Sequence, residues 1–192
     1  MGFRIEDGTG RGRTAKVNEL NRLEVSAVTL TEISDIARSG GAFSVVARHT
    51  IQADSTEENL LYIKNNNDAK CIHLHSIRLA AKVTAAGLLV ISYFDPVRVS
   101  GGTEKEAVQL NRQKAKAADA DLYDNSSNDL SLTLTAAKEF AEFRLGATGT
   151  AFFESDGALV LGPGDTFGMT AEGIDGDLVT ASIFFFEAEE SK

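Results

Sequence analysis

Short stretches of strict two-residue alternation, separated by turn-forming residues, constrain this chain more than any other feature. Leu130-Ser131-Leu132-Thr133-Leu134 alternates apolar and polar residues without a break. In an extended chain successive side chains point to opposite faces, so this period gives a strand with one buried side. The same rhythm recurs along the chain. Residues 23–29, 42–53, 60–64, 71–84 and 87–99 read as strands, with a bend at Asp95-Pro96. Leu159-Val160-Leu161, 166–171 and 178–187 complete the set, and Gly162-Pro163-Gly164-Asp165 marks a turn. Residues 31–38 suit one or two helical turns ended by Ser39-Gly40-Gly41. Phe140, Phe143 and Leu145 fit a helical turn and a bent strand equally.

Eight or nine short strands with little helix point to an all-β fold, an antiparallel β-sandwich. A jelly-roll topology is expected. At 192 residues, 43% of them apolar, the chain suffices for one buried domain plus an arm. The reading assigns residues 1–22 to an extended N-terminal arm and 23–192 to a single β-sandwich domain. A polar, Ala-rich excursion at about 100–128 interrupts that domain, with one short helix expected near 104–116.

The arm combines Gly8-Thr9-Gly10-Arg11-Gly12 with five basic residues, Arg4, Arg11, Arg13, Lys16 and Arg22. Few large apolar side chains precede Leu23, so the segment cannot bury itself and is expected to order on a partner. The glycine run lacks the preceding strand and the Gly-Lys-Ser/Thr ending of a phosphate loop. Charge is uneven along the chain. Residues 1–118 carry 16 Lys+Arg against 13 Asp+Glu, and residues 119–192 carry 3 against 15. The acidic second half disfavours nucleic acid as the main partner.

The one cysteine, Cys71, excludes an internal disulfide and suits synthesis in a reducing cytoplasm. No apolar run is long enough to cross a membrane as a helix, and no signal-peptide pattern opens the chain. No membrane partner is therefore expected.

His73-Leu74-His75 places two imidazoles on one strand face, as a metal site would need. Cupin-type jelly-roll enzymes use such a pair, followed by a Glu and a third His near a later Pro-Gly turn. Here residues 76–82 contain no Glu and residues 163–168 no His, and His49 is the one histidine left. A cupin-like metal enzyme is thus the least favoured reading, and neither metal ligands, cofactor nor catalytic residues are assigned. Asp119, Asp121 and Asp124 lack the Gly and terminal Glu of a calcium loop. Phe184-Phe185-Phe186 puts rings on both faces of a strand. His73, His75 and Phe185 are the residues assigned to a candidate subunit contact.

Three blocks carry a family resemblance. The first runs Ile5-Glu6-Asp7-Gly8-Thr9-Gly10-Arg11-Gly12, Ala15-Lys16-Val17-Asn18 and Asn21-Arg22-Leu23-Glu24-Val25-Ser26-Ala27-Val28-Thr29. The second is Leu60-Leu61-Tyr62-Ile63-Lys64-Asn65, and the third Leu161-Gly162-Pro163-Gly164-Asp165-Thr166-Phe167-Gly168. Together they resemble a group of tailed-bacteriophage virion proteins. The resemblance implies a jelly-roll capsid cement or decoration protein on the virion surface, bridging capsomers. Its implied partners are the major capsid protein and copies of itself, as a homotrimer or homodimer. It implies no catalytic residue. The alternative is a phage tail or baseplate module that binds a host-surface carbohydrate; three Tyr and no Trp offer little for sugar stacking.

Overall fold

The computed structural model describes residues 16–17, 23–24, 32–53, 56–82, 87–114, 116–146 and 148–189. The chain divides into two units, Met1–Thr31 and Glu32–Lys192. In the first, β1 (Lys16–Val17) pairs antiparallel with β2 (Leu23–Glu24), Lys16 opposite Glu24. The strand expected over 23–29 is described only through Glu24; the rest of it, with Arg4, Arg11, Arg13 and Arg22, lies outside the described residues.

The second unit opens with α1 (Glu32–Ser39), ended by a reversal in which the Gly41 amide donates to the Ile36 carbonyl at 2.9 Å. Strands β3 (Ala42–Thr50), β4 (Glu57–Asn65), β5 (Cys71–Lys82) and β6 (Leu88–Phe94) follow. An insertion then contributes β7 (Val97–Ser100), β8 (Thr103–Glu104), β9 (Val108–Gln109), β10 (Ala120–Asp124) and β11 (Ser131–Thr133). The chain closes with β12 (Glu139–Leu145), β13 (Thr150–Leu161), β14 (Thr166–Glu172) and β15 (Leu178–Ala188).

One sheet has the order β13-β5-β15-β3-β9, the other β12-β6-β14-β4-β10-β8, and the pairings are antiparallel. Without the insertion strands, the eight remaining strands alternate between the sheets in pairs. First lies beside eighth and third beside sixth; second lies beside seventh and fourth beside fifth. That is the jelly roll, two interlocked Greek keys. The fold is the antiparallel β-sandwich that the alternation implied.

Between the sheets lies one apolar core. It includes Phe43, Val45 and Ala47 of β3, Phe167, Met169 and Ala171 of β14, and Val179, Ala181, Ile183 and Phe185 of β15. Phe43 and Phe185 stack at 5.6 Å between ring centroids. Phe94 stacks on Phe140 at 4.4 Å, and Phe143 meets Phe153 edge-on at 6.2 Å, which seals the β12 and β13 side of the sandwich. Phe140 and Phe143 therefore sit on a strand, not a helical turn.

Two details depart from simple alternation. Residues 71–84 do not keep one phase: Phe184 opposes Ser76 and Phe185 opposes Leu74, so His75 is an extra residue, a β-bulge. The bulge lets Ile72 and Leu74 point inward on one side of it and Ile77 and Leu79 on the other. The excursion holds three short strands where a helix was expected, because each borrows a sheet edge for its backbone hydrogen bonds. β9 extends the first sheet beside β3, while β10 and β8 extend the second beside β4.

Buried charges anchor the insertion. The Lys116 ammonium meets Glu187 Oε2 at 2.6 Å, and Glu187 Oε1 accepts the Asp119 amide at 2.6 Å. Lys105 pairs with buried Asp124 at 3.0 Å. Gly101 turns at φ +66°, where any β-carbon would lie 1.9 Å from the Asp129 carbonyl oxygen; only glycine makes this turn. Among the described residues, no helix is long and apolar enough to cross a membrane.

Candidate functional site

The two outer faces of the sandwich differ, and the difference begins with register. On the six-stranded sheet, Gly168 lies opposite Tyr93 on one side and Tyr62 on the other, and Tyr62 lies opposite Tyr123. All three tyrosines of the chain thus form one outward row, with a glycine between two of them. The row is covered. β7 and β11 form a two-stranded ribbon, flanked by Pro96 and Leu130, that lies over it. A β-carbon on Gly168 would come within 2.8 Å of Pro96 Cγ and 3.4 Å of Leu132 Cδ1, so the glycine is what lets the ribbon settle. Arg98 of the ribbon stacks over the Tyr123 ring at 3.6 Å and donates from Nε and Nη2 to the Gly101 carbonyl. Asn59 Nδ2 donates to the Leu130 carbonyl at 3.0 Å.

The covered tyrosines are electrostatically marked. Burial raises the Tyr93 phenol far above its ordinary 10.0, and its hydrogen bond to Glu57 adds to the rise. Burial likewise raises Tyr62, followed by the charge of Asp121, with Arg98 opposing. Glu57 Oε1 accepts from both Tyr93 Oη at 2.8 Å and Thr170 Oγ1 at 2.6 Å.

The outer face of the five-stranded sheet is buried at the end that holds Ala42 and Phe186, and among the described residues it lies open toward the other end. Its rows run across β3, β15, β5 and β13. Val46, Ser182, Arg78 and Phe152 form one row; Arg48, Thr180, Ala80 and Thr150 form the next. Ser44, Phe184, Ser76 and Glu154 form a third, continued by Val108 of β9. Val46 is 45% exposed, Phe152 52% and Val108 59%. The Arg78 guanidinium lies between two rings, 5.0 Å from the centre of Phe152 and 5.3 Å from that of Phe184. Beside it a groove of about 420 Å³ has a floor of small residues, Ala80, Thr180 and Ser182. Ring faces attract a guanidinium but accept none of its in-plane N–H bonds. Arg78 is exposed, and among the described residues it makes no ion pair.

Beyond the bulge the same face carries His73, which lies opposite both Phe186 and Val160. The imidazole stacks parallel on Phe186 at 4.8 Å between centroids. His75 Nε2 is 3.9 Å from Glu154 Oε1. The two histidines do share the outer face, as their spacing predicts. Phe185 does not join them: it is 2% exposed and belongs to the core, while register puts Phe184 and Phe186 on the other side of the strand, where Phe186 is itself buried.

His49 stands apart. It lies opposite Val179 of β15, whereas His73 lies opposite Phe186, a separation of roughly 23 Å at strand spacing. It is buried, with Nε2 2.5 Å from Glu58 Oε2 and Nδ1 3.1 Å from the Asn125 carbonyl oxygen. Both bonds tie the end of β3 to its neighbours. No group of three or more His, Cys, Asp or Glu side chains is placed to hold a metal ion among the described residues. Asp119 and Asp121 accept hydrogen bonds from Asn67 and Asn66, and Cys71 is buried.

Arg78, Phe152 and Val46 were not singled out in the sequence, and Phe184 was marked only as part of the Phe184-Phe185-Phe186 run. They lie on four strands' worth of separate sequence, and only the register brings them together. Comparison with family models, curated proteins and solved structures gives no match. The fold and site define the chain as a jelly-roll β-sandwich with one face coated by its own insertion and, among the described residues, the Arg78 side of the other face exposed.

Proposed function

We propose that this chain is a virion structural protein, a cement or decoration protein that sits on the outside of a head shell and bridges neighbouring capsomers, with the major capsid protein as its partner. The observation that carries this reading is the contrast between the faces. A protein that clamps a seam needs a stiff body and more than one attachment surface. The interlocked jelly roll supplies stiffness, since every one of its eight strands pairs within a sheet that shares one core. The open face supplies one attachment surface. The basic N-terminal unit supplies a second, through backbone hydrogen bonds and charge pairs from Arg4, Arg11, Arg13, Lys16 and Arg22. Ordering such an arm on a partner costs conformational entropy, so a large footprint and many copies are expected.

The test is deletion of residues 2–16, followed by measurement of occupancy on undecorated particles. Occupancy should fall steeply while the far-ultraviolet circular dichroism of the body is retained. Undiminished occupancy would remove the arm from the mechanism, and the cement reading with it.

A further inference from the structure

The open face of the five-stranded sheet is basic on an acidic chain. Among its described side chains it presents Arg48, Arg78 and Lys82 against Glu154, whereas the chain as a whole carries -9. We propose that its occupant is a second copy of this chain, which docks an acidic surface, not its own matching face, onto the Arg78 clamp.

Charge and geometry both select this arrangement. Among the described side chains, same-face packing would set three cations of each copy, Arg48, Arg78 and Lys82, against one carboxylate, Glu154, so repulsion outweighs attraction. A carboxylate-bearing surface satisfies the site instead. The flanking rings fix the plane of the guanidinium, and its free edge matches a carboxylate through two parallel N–H···O bonds. Exposed Glu104, Glu106 and Asp119 of the insertion supply carboxylates away from this face. The groove floored by Ala80, Thr180 and Ser182 gives the partner's adjacent side chain a place to enter. Val46, Val108 and Phe152 supply apolar area around the charge pair, the arrangement of a desolvated anchor within an apolar surround. Phosphate would also match the guanidinium edge, so an oligonucleotide is the competing occupant that the test must exclude. A contact between two different patches repeats head to tail, so it closes into a ring or extends as a fibre.

The measurement is sedimentation of the free full-length chain, independent of any shell. Wild type is expected above its 20.5 kDa monomer mass at about 0.1 mM, with association about tenfold weaker when salt rises from about 0.05 to 0.5 M. Arg78→Glu should run as a monomer with unchanged circular dichroism, since the side chain is exposed. Mixing separates the two geometries. An Arg78→Glu chain still offers its acidic patch, so it caps wild-type oligomers and lowers their mass. A same-face dimer would instead gain from an Arg–Glu pair, and the equimolar mixture would associate more strongly than wild type. That result overturns the proposal, as does a wild-type monomer, association strengthened by salt, or Arg78-dependent binding of a single-stranded oligonucleotide. Because the readout is the mass of free protein, loss of this proposal leaves the particle-binding test of the arm unaffected.

Discussion

Glu187 is the hub that fastens the insertion to the body, and its pairing with Lys116 predicts an asymmetric double mutant. The Glu187 side chain is 1% exposed and the Lys116 side chain 40%. The carboxylate receives two donors, Lys116 Nζ at 2.6 Å and the Asp119 amide at 2.6 Å. The ammonium also lies 5.5 Å from the centre of the Phe43 ring. Lys116→Met leaves the buried carboxylate with the amide alone. Stripping one partner from a fully buried pair costs about 3–5 kcal/mol; the surviving amide bond and the partial exposure of Lys116 lower this to about 2–3 kcal/mol. Glu187→Gln keeps an acceptor for the amide, and the half-exposed ammonium returns to water, so the cost is about 1 kcal/mol. In the double mutant no charge remains to be stranded. Its cost should lie near that of Glu187→Gln alone, a coupling of about 2–3 kcal/mol. Urea unfolding followed by circular dichroism measures all four proteins, and hydrogen exchange at the Asp119 amide reports the local bond. A Lys116→Met cost at or below that of Glu187→Gln, or strict additivity, would refute the buried carboxylate as the hub.

Other positions give sharper local tests. Tyr93 ionises far above its ordinary 10.0 in the folded chain because of burial and Glu57. Above that value the unfolded chain has lost the proton and the folded chain still holds it, so stability is intact below about pH 10 and falls as pH rises past it. Alkaline titration of tyrosinate absorbance should show Tyr93 appearing only with unfolding, and Tyr93→Phe should flatten that loss. Gly168→Ala places a methyl 2.8 Å from Pro96 Cγ, with an expected cost of about 1–3 kcal/mol read from thermal melts. Adding Pro96→Ala should recover part of it, since the nearest carbon is removed. His49→Leu removes both the Glu58 and Asn125 bonds at a buried site, and chemical denaturation should show a loss of about 2–4 kcal/mol.

Sequence pattern reaches as far as local periodicity does. β3 was legible because its burial follows the alternation, Phe43, Val45, Ala47 and His49 inward with Val46, Arg48 and Thr50 outward. The first half of β13 was not, since Ala151-Phe152-Phe153 is apolar on both faces and shows no period. β10 reads as an acidic loop, yet Leu122 is fully packed and Asp124 is buried against Lys105. In Phe184-Phe185-Phe186 three identical residues carry no phase; the inward Ala181 and Ile183 set it and so send Phe185 to the core. The His75 bulge is invisible to any two-residue rule, because it exists only against β15 and β13. Arg78 has no distinguishing neighbour in sequence, and its two rings arrive from β13 and β15. The candidate site was unreadable for this reason: pairing register, a long-range property, builds it.

The insertion explains why only one face is available. It leaves the sandwich after β6 and returns before β12, two strands that are neighbours in the six-stranded sheet. A short hairpin would suffice to join them. The longer path adds β8 and β10 to one sheet edge and β9 to the other, then lays the β7–β11 ribbon over the tyrosine row. Each exposed strand edge and each apolar face is a place where chains stick together without specificity. The ribbon covers the face rich in tyrosine, where an uncovered row would associate loosely. It leaves open the face where a fixed cation sits between two rings. Apolar area alone attracts any partner, whereas a desolvated guanidinium rejects surfaces that lack a carboxylate in register. The insertion thus covers the tyrosine row and leaves the Arg78 clamp exposed.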